Sequence, residues 1–293
     1  MDIDAITQSS VTSVAELIDL AESFKQDQIR DPKIKIAFRG QPQEFRQLTP
    51  SFCRQFSRNS VGTAEIIERT LIKEFRKHYA KLVERSSDMP SPVRIENGYD
   101  LRCLSVMQHY EIQTRLLDWT SSFWIAVYFA TASDPSNCAE LWYYDRRLFS
   151  KQVETEPSLA SLLNAEENVP PEPEFLSRRN DQLLVELDPS MTPRMKNQSA
   201  HHTVSTNVFA DHAPLLFKLS ELARTSGDDE FAFKRIIIQN TCKGKVLQFL
   251  AEHKEITASS ISVSYTHLRA HETVLDLVCR LLLEKIYTYP SAR

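Results

Sequence analysis

Glycine is scarce in this chain, and its scarcity excludes several classes of nucleotide-binding protein. The 293 residues contain five glycines. No two of them have the spacing of a dinucleotide-binding G-x-G-x-x-G turn or of a phosphate-cradling P-loop. The usual forms of Rossmann dehydrogenases, protein kinases and P-loop NTPases are therefore excluded.

Paired cysteines and paired metal ligands are also missing. The five cysteines stand far apart, with no Cys-x-x-Cys pair, which argues against a structural zinc site or a disulfide framework. His201, His202, Asp211 and His212 form a cluster in the sequence, but their spacing matches no helix-borne zinc motif and the segment has the character of a loop. We therefore predict reduced, inert thiols and no metal site.

Neither an excess of basic charge nor a long apolar run is present. The formal net charge is -4 and the pI is about 6.1, so nothing at the level of the whole chain supports nonspecific nucleic-acid binding, although a local basic patch stays open. No apolar run approaches the roughly 20 residues that cross a bilayer. The acidic start at Met1 lacks an apolar core behind positive charge, so we predict a cytoplasmic protein without membrane partners.

The sequence contains enough apolar residues to form a hydrophobic core, and its patterns indicate both helices and strands. Hydrophobic residues make up 42% and charged residues 25% of the chain. Polar caps and apolar patterns predict helices at 14–28, 63–84, 123–132, 215–222 and 243–253, and residues 101–110 are a further apolar-rich stretch. Short apolar runs predict strands near 33–39, 139–145, 182–188 and 231–238. The predicted fold class is α+β, a small mixed sheet covered by several helices.

Two short strings of polar and apolar residues carry the functional signal. The first is Ile36-Ala37-Phe38-Arg39-Gly40-Gln41, and the second runs from Gln108-His109-Tyr110 through Thr114-Arg115-Leu116-Leu117-Asp118-Trp119-Thr120. Together they resemble the FRG domain, a family named for its Phe-Arg-Gly. A third, weaker block is Arg194, Gln198 and Thr203, where Ala200 and His202 stand in place of the family's usual Gly and Phe.

The resemblance divides the chain into three parts. Residues 1–32 are expected to be an N-terminal helical segment and residues 33–260 an FRG-type domain, with a loop-rich, proline-containing insertion at about 150–181. Residues 263–268 are what a transposon-end sequencing adapter encodes, and the stretch to about Lys285 resembles a peptide that recurs in assembled gene models. We therefore expect residues 261–293 to be an artefactual tail; the alternative is a genuine amphipathic helix from Val274 to Ile286.

Arg39 is the residue on which the chemistry depends. A permanent cation at the end of a buried strand requires an anionic partner, because its desolvation must be compensated. One reading gives it a ligand phosphate or carboxylate. The other pairs it with Asp118 in the core, with Arg115 and Asp118 bridging one turn of a helix.

Arg39-Gly40 also resembles the first strand of arginine-specific ADP-ribosyltransferases, and Thr120-Ser121-Ser122 resembles their Ser-Thr-Ser element. This resemblance implies a fold like theirs and NAD as substrate. The catalytic residues that it implies are Arg39, Thr120, Ser121, Gln198 and Glu186. The implied cofactor-binding set is Arg39, Gly40, His109, Tyr110, Arg115, Asp118 and Trp119.

In this scheme Arg39 binds the NAD phosphates, Ser121 with Thr120 binds the nicotinamide ribose, and Tyr110 or Trp119 stacks on nicotinamide. The late residue that contacts ribose is either Gln198, which cannot act as a base, or Glu186, which can stabilise an oxocarbenium-like transition state.

Two classes of function stay open. The first is an NAD-consuming effector in conflict between bacteria and phages, and the second is a non-catalytic module that binds a nucleotide or a protein. A serine hydrolase ranks third because no Gly-x-Ser-x-Gly elbow occurs, and His109, Tyr110 and Trp119 also have a simpler explanation as core residues.

Overall fold

A computed structural model describes residues 3–83, 100–109, 112–155, 183–187, 199–225 and 232–261. The strands are β1 (Thr7–Val11), β2 (Ile36–Gln41), β3 (Leu116–Thr120), β4 (Ala139–Asp145), β5 (Leu184–Leu187), β6 (Ala200–Ser205) and β7 (Phe233–Ile238). The helices are α1 (Val14–Arg30), α2 (Ser51–Phe56), α3 (Val61–Val83), α4 (Asp100–His109), α5 (Phe123–Thr131), α6 (Arg147–Thr155), α7 (His212–Thr225), α8 (Lys243–Lys254) and α9 (Ala258–Ile261).

The seven strands form one mixed sheet in the order β1-β7-β4-β2-β3-β6-β5. β1 and β7 are parallel, and every other neighbouring pair is antiparallel. The α+β fold class is confirmed, while an ADP-ribosyltransferase-like architecture stays a prediction. None of the helices in the described ranges combines the length and the apolar character needed to span a membrane.

Three strands were not predicted, and two of them carry the candidate site. Residues 200–205 were expected to have the character of a loop, yet they form β6, whose side chains are nearly all buried. Residues 116–120 form β3, so the proposed helical turn between Arg115 and Asp118 is wrong. Residues three apart in a strand point to opposite faces of the sheet.

Helices cover both faces of the sheet. On one face, α1, α5 and α8 pack on Ile36 and Phe38 of β2, while α2, α3 and α4 pack on Leu116 of β3. On the other face, α6 and α7 pack on a layer rich in aromatic residues that includes Trp119. Alternation along the strands therefore places Arg39 with Trp119 on the α7 face, and Asp118 on the face covered by α4 and α5.

Serine side chains cap two of the helices. Ser13 caps α1, since its side chain accepts a hydrogen bond from the Glu16 amide. Ser122 caps α5 by accepting from the amide of Ile125 at 3.4 Å. The hydroxyl of the neighbouring Ser121 is therefore available for another contact.

A single register pair joins the two halves of the sheet, which meet at β2 and β3. β2 pairs with β4 over six residues and β3 with β6 over five. Between β2 and β3 the register holds one pair, Phe38 with Thr120. No second register pair joins these two strands, so the backbone of Arg39 to Gln41 faces β3 without a continuous ladder. We call this interrupted region the split between β2 and β3.

Gly40 lies inside β2, and helix α5 passes directly over it. A Cβ atom at this position would lie 1.9 Å from the carbonyl oxygen of Ala126 and 2.6 Å from the amide nitrogen of Ala130. The missing side chain therefore allows α5 to approach the strand, and helix backbone fills the space beside this member of the implied cofactor-binding set.

Candidate functional site

Arg39 extends from β2 into the split between β2 and β3. Its Nη1 donates to the backbone carbonyl oxygen of Asp118 at 2.7 Å, and strand carbonyls lie in the plane of the sheet. The guanidinium thus takes the place of a missing ladder hydrogen bond and lies between the strands.

The guanidinium of Arg39 is only partly satisfied. Its Nε is buried and has no hydrogen-bond partner, and within the described residues no carboxylate forms an ion pair with it. Burial lowers the pKa of Arg39, the charge of Asp118 opposes this, and the charge of Arg54 adds to the lowering. The alternative in which the carboxylate of Asp118 neutralises Arg39 by direct contact is therefore not what the structure contains.

The carboxylate of Asp118 is held through one of its two oxygens. Its Oδ1 accepts a hydrogen bond from Gln108 Nε2 and lies 3.0 Å from His202 Nε2. Its Oδ2 has no partner among the described residues, and the side chain is 59% exposed. Burial by itself raises the pKa of Asp118, but the hydrogen bond and charge of His202, with the charge of Arg39, hold that pKa below its usual value.

A buried set of polar contacts fixes the two groups that hold Asp118. Gln108, near the end of α4, receives a hydrogen bond at Oε1 from the hydroxyl of Thr114. His202 on β6 places Nδ1 at 3.1 Å from the hydroxyl of Ser105 on α4. Because both donors are themselves anchored, the direction of the Asp118 carboxylate is set before any ligand arrives.

A second polar cluster lies on the opposite face and contains two of the predicted residues. The hydroxyl of Ser121 is 2.5 Å from Nε2 of His201, and Nη1 of Arg146 is 3.5 Å from the same nitrogen. Arg146 Nε donates to both carboxylate oxygens of Glu186, at 2.9 and 2.8 Å. Tyr144 donates its hydroxyl to Glu186 at 2.7 Å. The structure therefore joins Ser121 and Glu186 through His201 and Arg146.

Thr120 and Trp119 have structural partners. The hydroxyl of Thr120 accepts from the amide of Ser122 at 3.0 Å and so forms part of the turn into α5. Trp119 donates Nε1–H to the hydroxyl of Thr203 at 3.0 Å and packs edge-on against Tyr144, with ring centroids 4.7 Å apart. A buried ring in this position is part of the core and is not placed to stack on a ligand.

Arg115 belongs to the scaffold and lies apart from the carboxylate of Asp118. It forms a bidentate pair with Glu68 of α3, and both side chains are 3% exposed. Its Nη1 also donates to the carbonyl oxygens of Ser205 and Thr206, at 3.2 and 3.0 Å. The pair locks α3 to the ends of β3 and β6.

Several predicted residues are not placed. Gln198 and Tyr110 lie outside the described residues, as do most of the insertion at about 150–181 and the tail from 262, and His109 ends α4 with a side chain that is not described. In the ranges that are described, no cluster of metal-ligating side chains is present. His212, part of the histidine cluster, contacts the hydroxyl of Thr203 through Nδ1 at 2.8 Å instead.

Sequence reasoning missed His202, His201 and Arg146 as neighbours of the predicted residues. Alternation along residues 200–205 was the available signal, since it places the two histidines on opposite faces of a strand. Once β6 is placed beside β3, His202 stands opposite Asp118 and His201 opposite Trp119. That pairing depends on long-range register, which no local pattern supplies.

The comparison with protein families gives one match. The model of the FRG domain matches residues 34–138, a stretch that contains Arg39, Gln108, Asp118 and Ser121. His201, His202 and Glu186 lie beyond the matched stretch. No curated protein and no solved structure matches the chain.

Proposed function

Residues 34–138 of this chain are an FRG domain, and we propose that this domain binds a phosphate-bearing nucleotide, with NAD the first candidate, at the split between β2 and β3. The observation that carries the proposal is the guanidinium of Arg39, a half-buried cation whose single hydrogen bond goes to a backbone carbonyl. A desolvated cation without a carboxylate partner is a costly feature of an unliganded protein, and a phosphate compensates for it.

The unused edge of the Arg39 side chain suits a phosphate. Nη1 is occupied by Asp118, which leaves Nε and Nη2 to donate two parallel hydrogen bonds to one phosphate group. An unsatisfied buried donor such as Nε destabilises a protein by about 1–3 kcal/mol, and ligand binding would recover this free energy. Because Nε is screened from solvent, we expect the side chain to move slightly when the phosphate arrives.

The charges around Arg39 also favour binding of an anion. Arg54 is close enough for its charge to lower the pKa of Arg39. Both Arg39 and Arg115 act on His212, whose pKa is lowered to about 3, mainly by burial. His212 is therefore neutral at physiological pH and adds no positive charge to that of these arginines.

Cleavage of NAD is the second candidate, and the cluster on the α7 face is what favours it. Ser121 and Glu186, the hydroxyl and carboxylate that such a reaction needs, are joined there through His201 and Arg146. Glu186 is neutralised by Arg146, however, and a neutralised carboxylate stabilises an oxocarbenium-like charge less well. Binding without cleavage is therefore the function that this geometry supports best.

Isothermal titration of NAD and ADP-ribose into the full chain tests the binding proposal. We expect Arg39→Ala to weaken both ligands by about tenfold to a hundredfold, as the loss of charge-assisted hydrogen bonds implies. Arg39→Lys, which keeps the charge and loses the fork, should fall between Arg39→Ala and the wild type. Arg30→Ala, the same change at an exposed arginine paired with Asp27, should bind normally.

Release of nicotinamide separates the two candidates. If NAD binds and no nicotinamide appears, the chain is a binding module. If nicotinamide appears, Glu186→Gln and Ser121→Ala should abolish its release while leaving ADP-ribose binding measurable. Failure of the wild-type chain to bind NAD or ADP-ribose, or equal binding by Arg39→Ala, would refute the proposal.

A further inference from the structure

We infer that Asp118 accepts a hydrogen bond from a ribose hydroxyl of the ligand whose phosphate Arg39 binds, so that the site selects ribose phosphates over phosphate alone. The inference rests on the proposed function and names its ligand class. It is carried by the asymmetry of the Asp118 carboxylate, one oxygen of which is occupied and the other open.

Both donors that reach Asp118 converge on the same oxygen. Gln108 and His202 both contact Oδ1, although a carboxylate has room for about four donors spread over its two oxygens. A side chain that is 59% exposed would ordinarily rotate freely, but here its direction is fixed by the half-buried Gln108 and the buried His202. The consequence is an oriented acceptor, Oδ2, that faces away from the core.

A carboxylate in this state discriminates between kinds of ligand. It is ionised at neutral pH, so it can accept hydrogen bonds and cannot donate them. It repels a second phosphate and attracts a hydroxyl or amine donor. Since Arg39 supplies a cationic fork to this peptide, the ligand chemistry that fits is an anion followed directly by hydroxyl donors, which is the chemistry of a ribose phosphate.

The position of Arg39 makes contact with both groups possible. The two side chains leave their strands on opposite faces, but the guanidinium of Arg39 lies between the strands and donates to the carbonyl of Asp118. It is close enough for its charge to act on the carboxylate of Asp118, so one ligand at this point can reach both groups. Carboxylates use the same contact to hold a ribose hydroxyl in dinucleotide-binding proteins of other folds. Ser121 lies on the α7 face, which is opposite to the face that carries the Asp118 carboxylate. A dinucleotide carries one ribose on each side of its pyrophosphate, so this arrangement offers one polar group to each ribose.

Gln108 and His202 are positioning residues in this account, because they act on the ligand only through Asp118. Removing Gln108 would leave Oδ1 with one donor and free the carboxylate to rotate. Selectivity for ribose should then fall, while binding of phosphate alone should not change. A purely structural role for Gln108 would weaken both ligands to the same degree.

The test compares ADP-ribose with inorganic pyrophosphate by isothermal titration. Asp118→Asn keeps the shape of the side chain and an acceptor at Oδ1. We expect it to weaken ADP-ribose by about tenfold, the usual effect of losing one hydrogen bond to a charged group. Pyrophosphate should bind as well as before or better, whereas Arg39→Ala should weaken both ligands. Gln108→Ala should lower the ADP-ribose to pyrophosphate affinity ratio and add nothing to Asp118→Asn.

A measurement on the wild-type chain does not depend on the folding of any variant. Ribose 5-phosphate should displace bound ADP-ribose at a concentration at least about tenfold lower than inorganic phosphate requires. Equal displacement, or equal losses for ADP-ribose and pyrophosphate in Asp118→Asn, would overturn the inference and leave the proposed function standing. Absence of any ADP-ribose or NAD binding by the wild type would instead remove the proposed function, and this inference with it.

Discussion

Replacing Gly40 with alanine separates two explanations of the Arg-Gly pair. If the glycine exists to let a ligand approach, the variant folds normally and loses affinity. If it exists to let α5 cross β2, the variant loses stability. The structure favours the second explanation, because the space beside the Gly40 Cα is occupied by the backbone of Ala126 and Ala130.

The size of the effect follows from the overlap. The added Cβ would lie 1.9 Å from the oxygen of Ala126, whereas nonbonded carbon and oxygen atoms keep about 3.3 Å apart. The helix must therefore move by about 1.4 Å, the difference between these distances, or the strand must bend by as much. Overpacking of a core usually destabilises by about 1–3 kcal/mol. Because backbone obstructs the atom on two sides, we expect a loss at or above about 3 kcal/mol.

Chemical denaturation followed by circular dichroism measures this loss, and a second glycine supplies the matched control. Gly244, in the first turn of α8, has nothing within 4 Å of its ideal Cβ. Gly244→Ala should therefore stabilise the chain by up to about 1 kcal/mol, because alanine restricts the unfolded chain more than glycine does. An unchanged free energy of unfolding in Gly40→Ala would refute the packing explanation and return Gly40 to the ligand.

Three further predictions concern buried groups of the scaffold. Glu68→Gln should destabilise the chain by about 3–5 kcal/mol in chemical denaturation, because it leaves the buried guanidinium of Arg115 without its counter-charge. Burial raises the pKa of the Cys53 thiol to about 12, so iodoacetamide at pH 8 should label the half-buried Cys138 before Cys53, as peptide mass spectrometry would show. Burial, with the charges of two arginines, lowers the pKa of His212 to about 3. Below pH 6.5 the unfolded chain therefore binds a proton at His212 that the folded chain does not bind. Through this group the free energy of unfolding should fall by about 2 kcal/mol between neutral pH and pH 5. His212→Asn should remove that part of the pH dependence of stability.

Each of these predictions has a control. Lys77→Ala breaks an exposed pair with Glu74 and should change stability by less than about 1 kcal/mol; a similar loss in Glu68→Gln would contradict the account of the buried pair. Rapid labelling of Cys53 in the native chain would show that its thiol is accessible. Unfolding titrations of the wild type and His212→Asn that run parallel from pH 7 to pH 5 would exclude His212 as a source of the acid sensitivity.

The sequence predicted the parts of the fold that local pattern determines. Helices α1, α3, α5 and α8 begin and end within a few residues of the predicted bounds, because apolar spacing and polar caps are properties of neighbouring residues. The four predicted strands are present as well. β3 and β6 were missed because their polar residues, such as Asp118 and His202, find partners only when the two strands pair.

The same distinction applies to the candidate site. Arg39 and Ser121 could be singled out from their motifs, because a charged or hydroxyl residue inside an apolar run is visible in the sequence. The partner of Arg39 could not be predicted, since the choice between the carboxylate and the carbonyl of Asp118 depends on how β2 and β3 separate. His202 contacts the carboxylate of Asp118, and Arg39 donates to the carbonyl. In the sequence, His202 is far from both Arg39 and Asp118.

The short pairing between β2 and β3 explains how one strand can both pack against a helix and place a guanidinium between strands. A full antiparallel ladder would satisfy the carbonyl of Asp118 with a backbone amide and leave no place for a guanidinium between the strands. With one register pair at Phe38 and Thr120, the ladder stops and Arg39 supplies the missing donor. Gly40, the next residue, faces the other side of the sheet, where α5 packs directly on β2. Two neighbouring residues of one strand therefore have separate tasks, because Gly40 admits the helix and Arg39 donates to β3.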